Sequence, residues 1–142
     1  MAKLFFNYST MNAGKSTILL QAAHNYEEKG MTPYLLTAEI DNRSGEGKIA
    51  SRIGIEKRAD TFNDRVNLYN HLKLKQKSSA IACVLIDEAQ FLTKSQVWQL
   101  ARAVDDLFLP VLCYGLRVDF QGNLFPGSSA LLGLADELKE IK

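Results

Sequence analysis

The octapeptide STMNAGKS, Ser9 to Ser16, constrains the fold of this chain more than any other segment. It follows an apolar and aromatic run, Leu4 to Tyr8, and precedes a stretch in which Ile18, Leu19, Ala22, Ala23 and Tyr26 recur at three- and four-residue steps. A strand, a glycine-bearing loop and a helix that Gly30 is placed to end are the expected elements. The spacing is that of GxxxxGK[ST], with Ser9 where the first glycine is usual. Such a loop wraps phosphates with backbone N–H groups at the positive end of a helix and brings one lysine to the β/γ oxygens. Lys15 holds that position, Gly14 lets the backbone come close, and Ser16 offers a hydroxyl to Mg²⁺. If residue 9 needs positive φ, serine is strained there; otherwise the turn differs from the usual one.

The second informative string is VLIDEAQF, Val84 to Phe91. Ala80 to Ile86 is a nearly continuous apolar run, the pattern of a central parallel strand covered on both faces, and it closes on Asp87 and Glu88. It resembles a Walker B strand. Carboxylates at the carboxyl edge of a parallel sheet face the crevice in which such folds bind ligand. Consecutive strand residues point to opposite faces, so the two acids are expected to do different work unless the strand end twists. Asp87 suits the outer shell of Mg²⁺, and Glu88 is free to take a proton from a hydroxyl or polarise a water. Gln90 and Phe91 could supply a hydrogen bond and a flat apolar face to a base.

Elsewhere the pattern predicts strands at Pro33–Ala38 and Pro110–Tyr114 and a helix over Arg65 to Lys77, whose lysines 73, 75 and 77 form a solvated face. Thr93 and Gln96 make a capping box for a helix through Val97, Leu100, Ala101, Val104 and Leu107. Ser128 is expected to cap a last helix through Leu131, Leu132, Ala135 and Leu138, with Glu140 to Lys142 opening another strand. Asp41 to Asp60, with Gly45, Gly47 and Gly54 among many charges, reads as a long mobile loop. Arg117 and Asp119 bracket a turn in the Gly115–Gly127 loop, where Phe120 and Phe125 serve either base stacking or packing on the last helix. Strands alternating with helices give an α/β class: a P-loop NTPase-like parallel sheet flanked by helices, in one nucleotide-binding domain over residues 1–142.

Composition narrows the partners. Seventeen Lys+Arg against sixteen Asp+Glu leave a charge of +1, too weak a field to gather nucleic acid or an anionic membrane. Cys83 and Cys113 lie in apolar runs and suit reduced, buried strand positions. His24, His71 and Trp98 fall in helical segments and are assigned no chemistry. The opening MAKLFFNYST resembles neither a signal peptide nor a membrane span, so the cytoplasm is the expected compartment.

Four strings together, YSTMNAGKST at 8 to 17, TAEIDNRSGEGKIASRIG at 37 to 54, LIDEAQFLT at 85 to 93 and PVLCYGLRVDFQGNLFPGS at 110 to 128, resemble the cytosolic, tetrameric (type II) thymidine kinase family. The resemblance implies ATP and Mg²⁺ as cofactors, thymidine as acceptor, and a homotetramer or dimer inhibited by thymidine triphosphate. It implies an ATP site from Ser9, Thr10, Met11, Asn12, Ala13, Gly14, Lys15, Ser16 and Thr17 with Asp87, Glu88, Ala89, Gln90 and Arg43. Glu88 is then the general base for the nucleoside 5′-hydroxyl, and Met11, Phe91, Leu116, Phe120 and Phe125 surround the thymine. DEAQ also resembles the second motif of helicases, but the small charge and short chain offer no basic track or second lobe. Family members continue past the equivalent of Lys142 into a zinc-binding subdomain whose lasso closes on thymidine. No zinc site is therefore expected within these residues; the resemblance implies ATP-dependent transfer of the γ-phosphoryl group to the 5′-hydroxyl of thymidine or deoxyuridine, with an ATP-binding module of little or no acceptor activity as the alternative, and without the lasso thymidine is expected to bind weakly and to be phosphorylated slowly or not at all.

Overall fold

The computed structural model describes residues 1–10, 14–41 and 47–142. The expectations for Met11, Asn12, Ala13 and Arg43 fall outside these described residues. Six strands form one parallel sheet in the order β5-β2-β6-β7-β1-β8: β1 (Leu4–Ser9), β2 (Thr32–Ala38), β5 (Asp60–Phe62), β6 (Ile81–Asp87), β7 (Val111–Leu116) and β8 (Glu137–Ile141). A hairpin, β3 (Lys48–Ala50) and β4 (Glu56–Arg58), stands beside it. The helices are α1 (Lys15–Glu28), α2 (Leu68–Ser78), α3 (Lys94–Leu107) and α4 (Pro126–Leu134).

Alternation along β6 divides the core. Val84 and Ile86 join Leu68 and Leu72 of α2, Val97 and Leu100 of α3 and Leu131 of α4, while Cys83 and Leu85 join Leu19, Leu20 and Ala23 of α1 on the opposite face. Both faces of the strand are thus covered, as an uninterrupted apolar run requires. Cys83 and Cys113 are buried free thiols, and burial pushes Cys83 up to about 11. Gly30 ends α1 as expected: its N–H donates to Glu27 O and that of Met31 to Tyr26 O, the paired bonds of a Schellman motif, with Gly30 at φ 76°. The Thr93–Gln96 capping box is present, each side chain accepting from the other's backbone N–H.

Four expectations need correction. The segment Asp41 to Asp60 is not one structureless loop: its described part holds β3, β4 and the start of β5. Ile49 is buried against the α1 face, and Gly54 turns the hairpin at φ 90°. Strands of three residues are too short for alternation to register. Helix α2 begins at Leu68 rather than Arg65, because the Asn67 side chain accepts from Asn70 N and caps it there. Ser128 is not a cap: α4 opens with Phe125 as N-cap and Pro126 in the first turn, where a missing N–H costs nothing. Ala135 and Leu138 lie outside α4, and the last strand begins at Glu137, earlier than expected. There Asp136 docks the chain on β1, donating its N–H to Leu4 O and accepting from Leu4 N.

Of the residues expected to be chemically idle, His24 pairs with Glu28 on the surface and Trp98 is half exposed. His71 Nε2 lies 2.6 Å from the Tyr34 hydroxyl. Lys75 departs from a purely solvated role, its ammonium 5.1 Å from the Tyr34 ring centroid. Among the described residues no helix is long and apolar enough to cross a membrane.

Candidate active site

The carboxyl ends of β1, β7 and β6 lie side by side, with β7 between the other two. Ser9 ends β1, and helix α1 starts at Lys15 from Gly14, which is left-handed at φ 78°. Gly14 at the N-cap has no side chain to satisfy the first N–H groups of that helix, the donors that a phosphate would use. Ser9 does not adopt positive φ, so its backbone is not strained in that way. Instead its buried hydroxyl has no hydrogen-bond partner among the described residues.

Strain sits at Glu88. Its backbone is left-handed, φ 55° and ψ 41°, and Phe108 is the other non-glycine described residue with positive φ. An L-residue there costs of order 1 kcal/mol or more and persists where its surroundings over-determine it. The effect is to swing Glu88 out of the strand direction. Both acids therefore reach one cation, against the alternation expected of consecutive strand residues: Lys15 Nζ bonds Glu88 Oε1 and lies 3.6 Å from Asp87 Oδ1. Asp87 is held further by Ser16, whose Oγ donates to Oδ2 at 3.0 Å, and by the Glu88 N–H at 3.0 Å from Oδ1. Burial pushes the Asp87 carboxyl above the usual carboxylate range, with the Lys15 charge opposing it.

After Glu88 a single 3-10 turn, Ala89–Phe91, leads to the cap of α3. Gln90 is buried inside it, with its side-chain nitrogen donating to Glu88 Oε2 at 2.6 Å and its side-chain oxygen accepting from Leu116 N at 3.1 Å. Two glycines let this turn sit so close. A Cβ on Gly115 would meet Gln90 Oε1 at 2.7 Å, and one on Gly127 would meet the carbonyl oxygens of Ala89 and Leu92 at 2.7 Å. Ser128 Oγ donates to Leu116 O, closing the frame from α4. Sequence reasoning missed this frame; the signal was the pair of glycines in YGL and PGS, read there only as loop residues.

The other expected residues distribute as follows. Phe91 and Phe125 meet edge to face at 5.9 Å, so packing accounts for Phe125 at least in part. Leu116 ends β7 at this edge. Phe120 is 85% exposed, in a turn closed by the Asp119 side chain accepting from Gln121 N and Asn123 N. Thr10 is exposed, Thr17 is half-buried and Ala89 is buried. Arg117, beside Leu116, donates its N–H to Ser9 O and stacks its guanidinium 5.3 Å from the Tyr8 ring centroid, tying β7 to β1.

The oxygen donors of Ser16 and Asp87, already in contact at the head of α1, suit a hard divalent cation such as Mg²⁺. A lysine and a helix start offer positive charge to a polyphosphate, and the carboxylates suit the cation that would accompany it. Comparison with known proteins narrows this chemistry. The family model described as Thymidine kinase matches residues 2–142. A thymidine kinase of Jannaschia sp. is 64% identical over 142 residues, all of this chain and 73% of that protein. That of Ruegeria pomeroyi is 63% identical over 142 residues, all of this chain and 72% of that protein. The Escherichia coli O157:H7 thymidine kinase is 54% identical, again over all of this chain and 69% of its own length. A phosphate-loop lysine closed on the acids of DEAQF and a match that runs from end to end lead to one conclusion: the chain belongs to the thymidine kinase family, the ATP:thymidine 5′-phosphotransferases.

Proposed function

We propose that these residues bind ATP with Mg²⁺ and transfer its γ-phosphoryl group to the 5′-hydroxyl of thymidine or deoxyuridine, with Glu88 as general base. The observation that carries the reading is Lys15 Nζ meeting Glu88 and Asp87 together at the start of α1. Ser9 to Thr17 would cradle the phosphates, with Arg43, Asp87, Glu88, Ala89 and Gln90 on the same side. Met11, Phe91, Leu116, Phe120 and Phe125 would face the nucleoside, a reading supported by the Phe91–Phe125 contact. The same reading takes the enzyme to be a homotetramer or dimer in the cytoplasm, a reducing compartment that suits its buried free thiols.

Phosphoryl transfer depends mainly on positioning and charge neutralisation. Lys15 is engaged by Glu88 when no phosphate is near, so polyphosphate competes with the base for one cation. As Lys15 moves to the phosphate oxygens, Glu88 Oε1 is released to accept the hydroxyl proton. Base and phosphate site are in this way switched on together. Ser16 Oγ and the Asp87 carboxylate would hold Mg²⁺, directly or through water; when bound, it neutralises charge on the β- and γ-phosphoryl oxygens. A positioned general base contributes about 10²- to 10⁴-fold.

The test follows label from γ-labelled ATP, with and without thymidine. Label in thymidine monophosphate, reduced at least about a hundredfold in Glu88→Gln with ATP affinity kept, is expected. Equal transfer by that variant would remove Glu88 from the role. ATP binding without any transfer would leave these residues an ATP-binding module.

A further inference from the structure

Both polar atoms of the DEAQF glutamine side chain are engaged within the fold. Its carboxamide is buried, and both ends are used: the nitrogen on Glu88 Oε2, the oxygen on Leu116 N. Only one orientation is possible. Rotating the amide would set its NH₂ against the Leu116 N–H and its oxygen against a carboxylate. Each neighbour is fixed in turn: Leu116 is the last residue of β7, its carbonyl accepts from Ser128 Oγ, and Gly115 leaves room for the amide to cross the strand end.

We propose that Gln90 is a positioning residue for the reaction: anchored on the end of β7, it grips Glu88 Oε2 and so reserves Oε1, the oxygen Lys15 occupies here, as the only one able to receive the nucleoside proton. The proposal rests on the kinase reading above. It explains how a glutamate on a left-handed backbone, with three rotatable side-chain bonds, keeps one oxygen aimed. Lys15 cannot provide that aim during transfer, because the phosphates take it. Gln90 can, since no substrate competes for a buried neutral amide. A general base displaced by about 1 Å loses roughly a hundredfold in rate.

The separating experiment compares the parent chain with Gln90→Met, which keeps length and volume but has no amide, and with Gly115→Ala, whose Cβ would crowd Gln90 Oε1 at 2.7 Å and the backbone nitrogens of Gln90 and Ala89 at 2.9 and 3.1 Å. Both are expected to lower kcat for thymidine phosphorylation at least about tenfold, while ATP affinity by calorimetry and nucleoside KM stay within about threefold. Independently of turnover, the Gln90 side-chain amide in ¹⁵N-correlated spectra, identified by its loss in Gln90→Met, is expected to exchange slowly with solvent and to shift in Glu88→Gln. Unchanged kcat in Gln90→Met, or a rise in KM or ATP Kd with kcat kept, overturns the proposal. So does a Gln90 amide that exchanges freely and ignores Glu88→Gln. A parent chain that transfers no phosphate removes the kinase reading and this proposal with it, whereas transfer by the parent and Gln90→Met alike removes this proposal alone.

Discussion

The β3–β4 hairpin and the middle of the six-stranded sheet carry charge in opposite ways. At the hairpin, Lys57 reaches Glu27 at 2.6 Å and Lys48 reaches Glu56 at 3.4 Å, the four side chains between 30% and 53% exposed. Around β6, β7 and β1, Lys15, Asp87 and Glu88 are largely buried, share partners, and are boxed in by backbone that approaches within Cβ distance of glycines. Exposed pairs can re-form in many geometries and are screened by salt, so each is worth little. The buried set has one arrangement, and its neighbours bear the cost of keeping it. Where a fold must hold charge out of water, backbone closeness replaces side-chain freedom.

That contrast can be broken outright at the cation. Lys15→Ala is expected to lower phosphoryl transfer by more than about a hundredfold and to weaken ATP binding, because it removes the charge shared by both acids. Calorimetry and the transfer assay check it. Unchanged values would mean that the buried cluster is only structural.

Next in size are glycines chosen from the two kinds of surroundings. Gly127→Ala drives a Cβ into three carbonyl oxygens of residues 89, 90 and 92, and is expected to cost about 2 to 3 kcal/mol of stability in a denaturant titration. Gly133→Ala, in the same helix but with nothing within 4 Å, is expected to be neutral or to stabilise by up to about 1 kcal/mol. Similar values for both would show that close approach at the 3-10 turn does not matter.

Asp87 sharpens the comparison through pH. Burial raises its carboxyl above the ordinary value, so the folded chain holds that proton more tightly than the unfolded one. Its contribution to stability is therefore complete below the ordinary carboxylate range and is lost as pH rises through the raised value. Asp87→Asn cannot ionise and is expected to melt above the parent at neutral pH, the gain fading as pH falls to the ordinary carboxylate range. Mg²⁺-dependent nucleotide binding is expected to weaken in the same variant. The smallest effect belongs to the hairpin: Lys57→Ala is expected to change stability by less than about 0.5 kcal/mol and transfer not at all.

What the sequence made legible follows the same division. The acids after an apolar strand and the Thr93 cap are local patterns, fixed by residues within one element of each other, and the structure has them in place, as it has the strand before and the helix after the STMNAGKS loop. The strands of the hairpin and β5 run three residues each, below the length at which periodicity speaks. Ser128 looked like a cap because a serine before an apolar helix commonly is one, but its hydroxyl is drawn to Leu116, twelve residues back. The left-handed Glu88 had no sequence signal at all. No glycine or asparagine marks it, and only the surrounding contacts set it.

The position of β7 has a further consequence. Because it separates β1 from β6, the phosphate loop and the acids are two interstrand spacings apart, about 10 Å of backbone. Side chains cross that gap from both sides, Lys15 to Glu88 and Ser16 to Asp87, and the strand between must stay low beside them. Lysine at 15 and glutamate at 88 span the gap, glutamine at 90 reaches the end of β7, and glycine at 115 leaves it room, so shortening any of the first three by a methylene is expected to open the contact it makes.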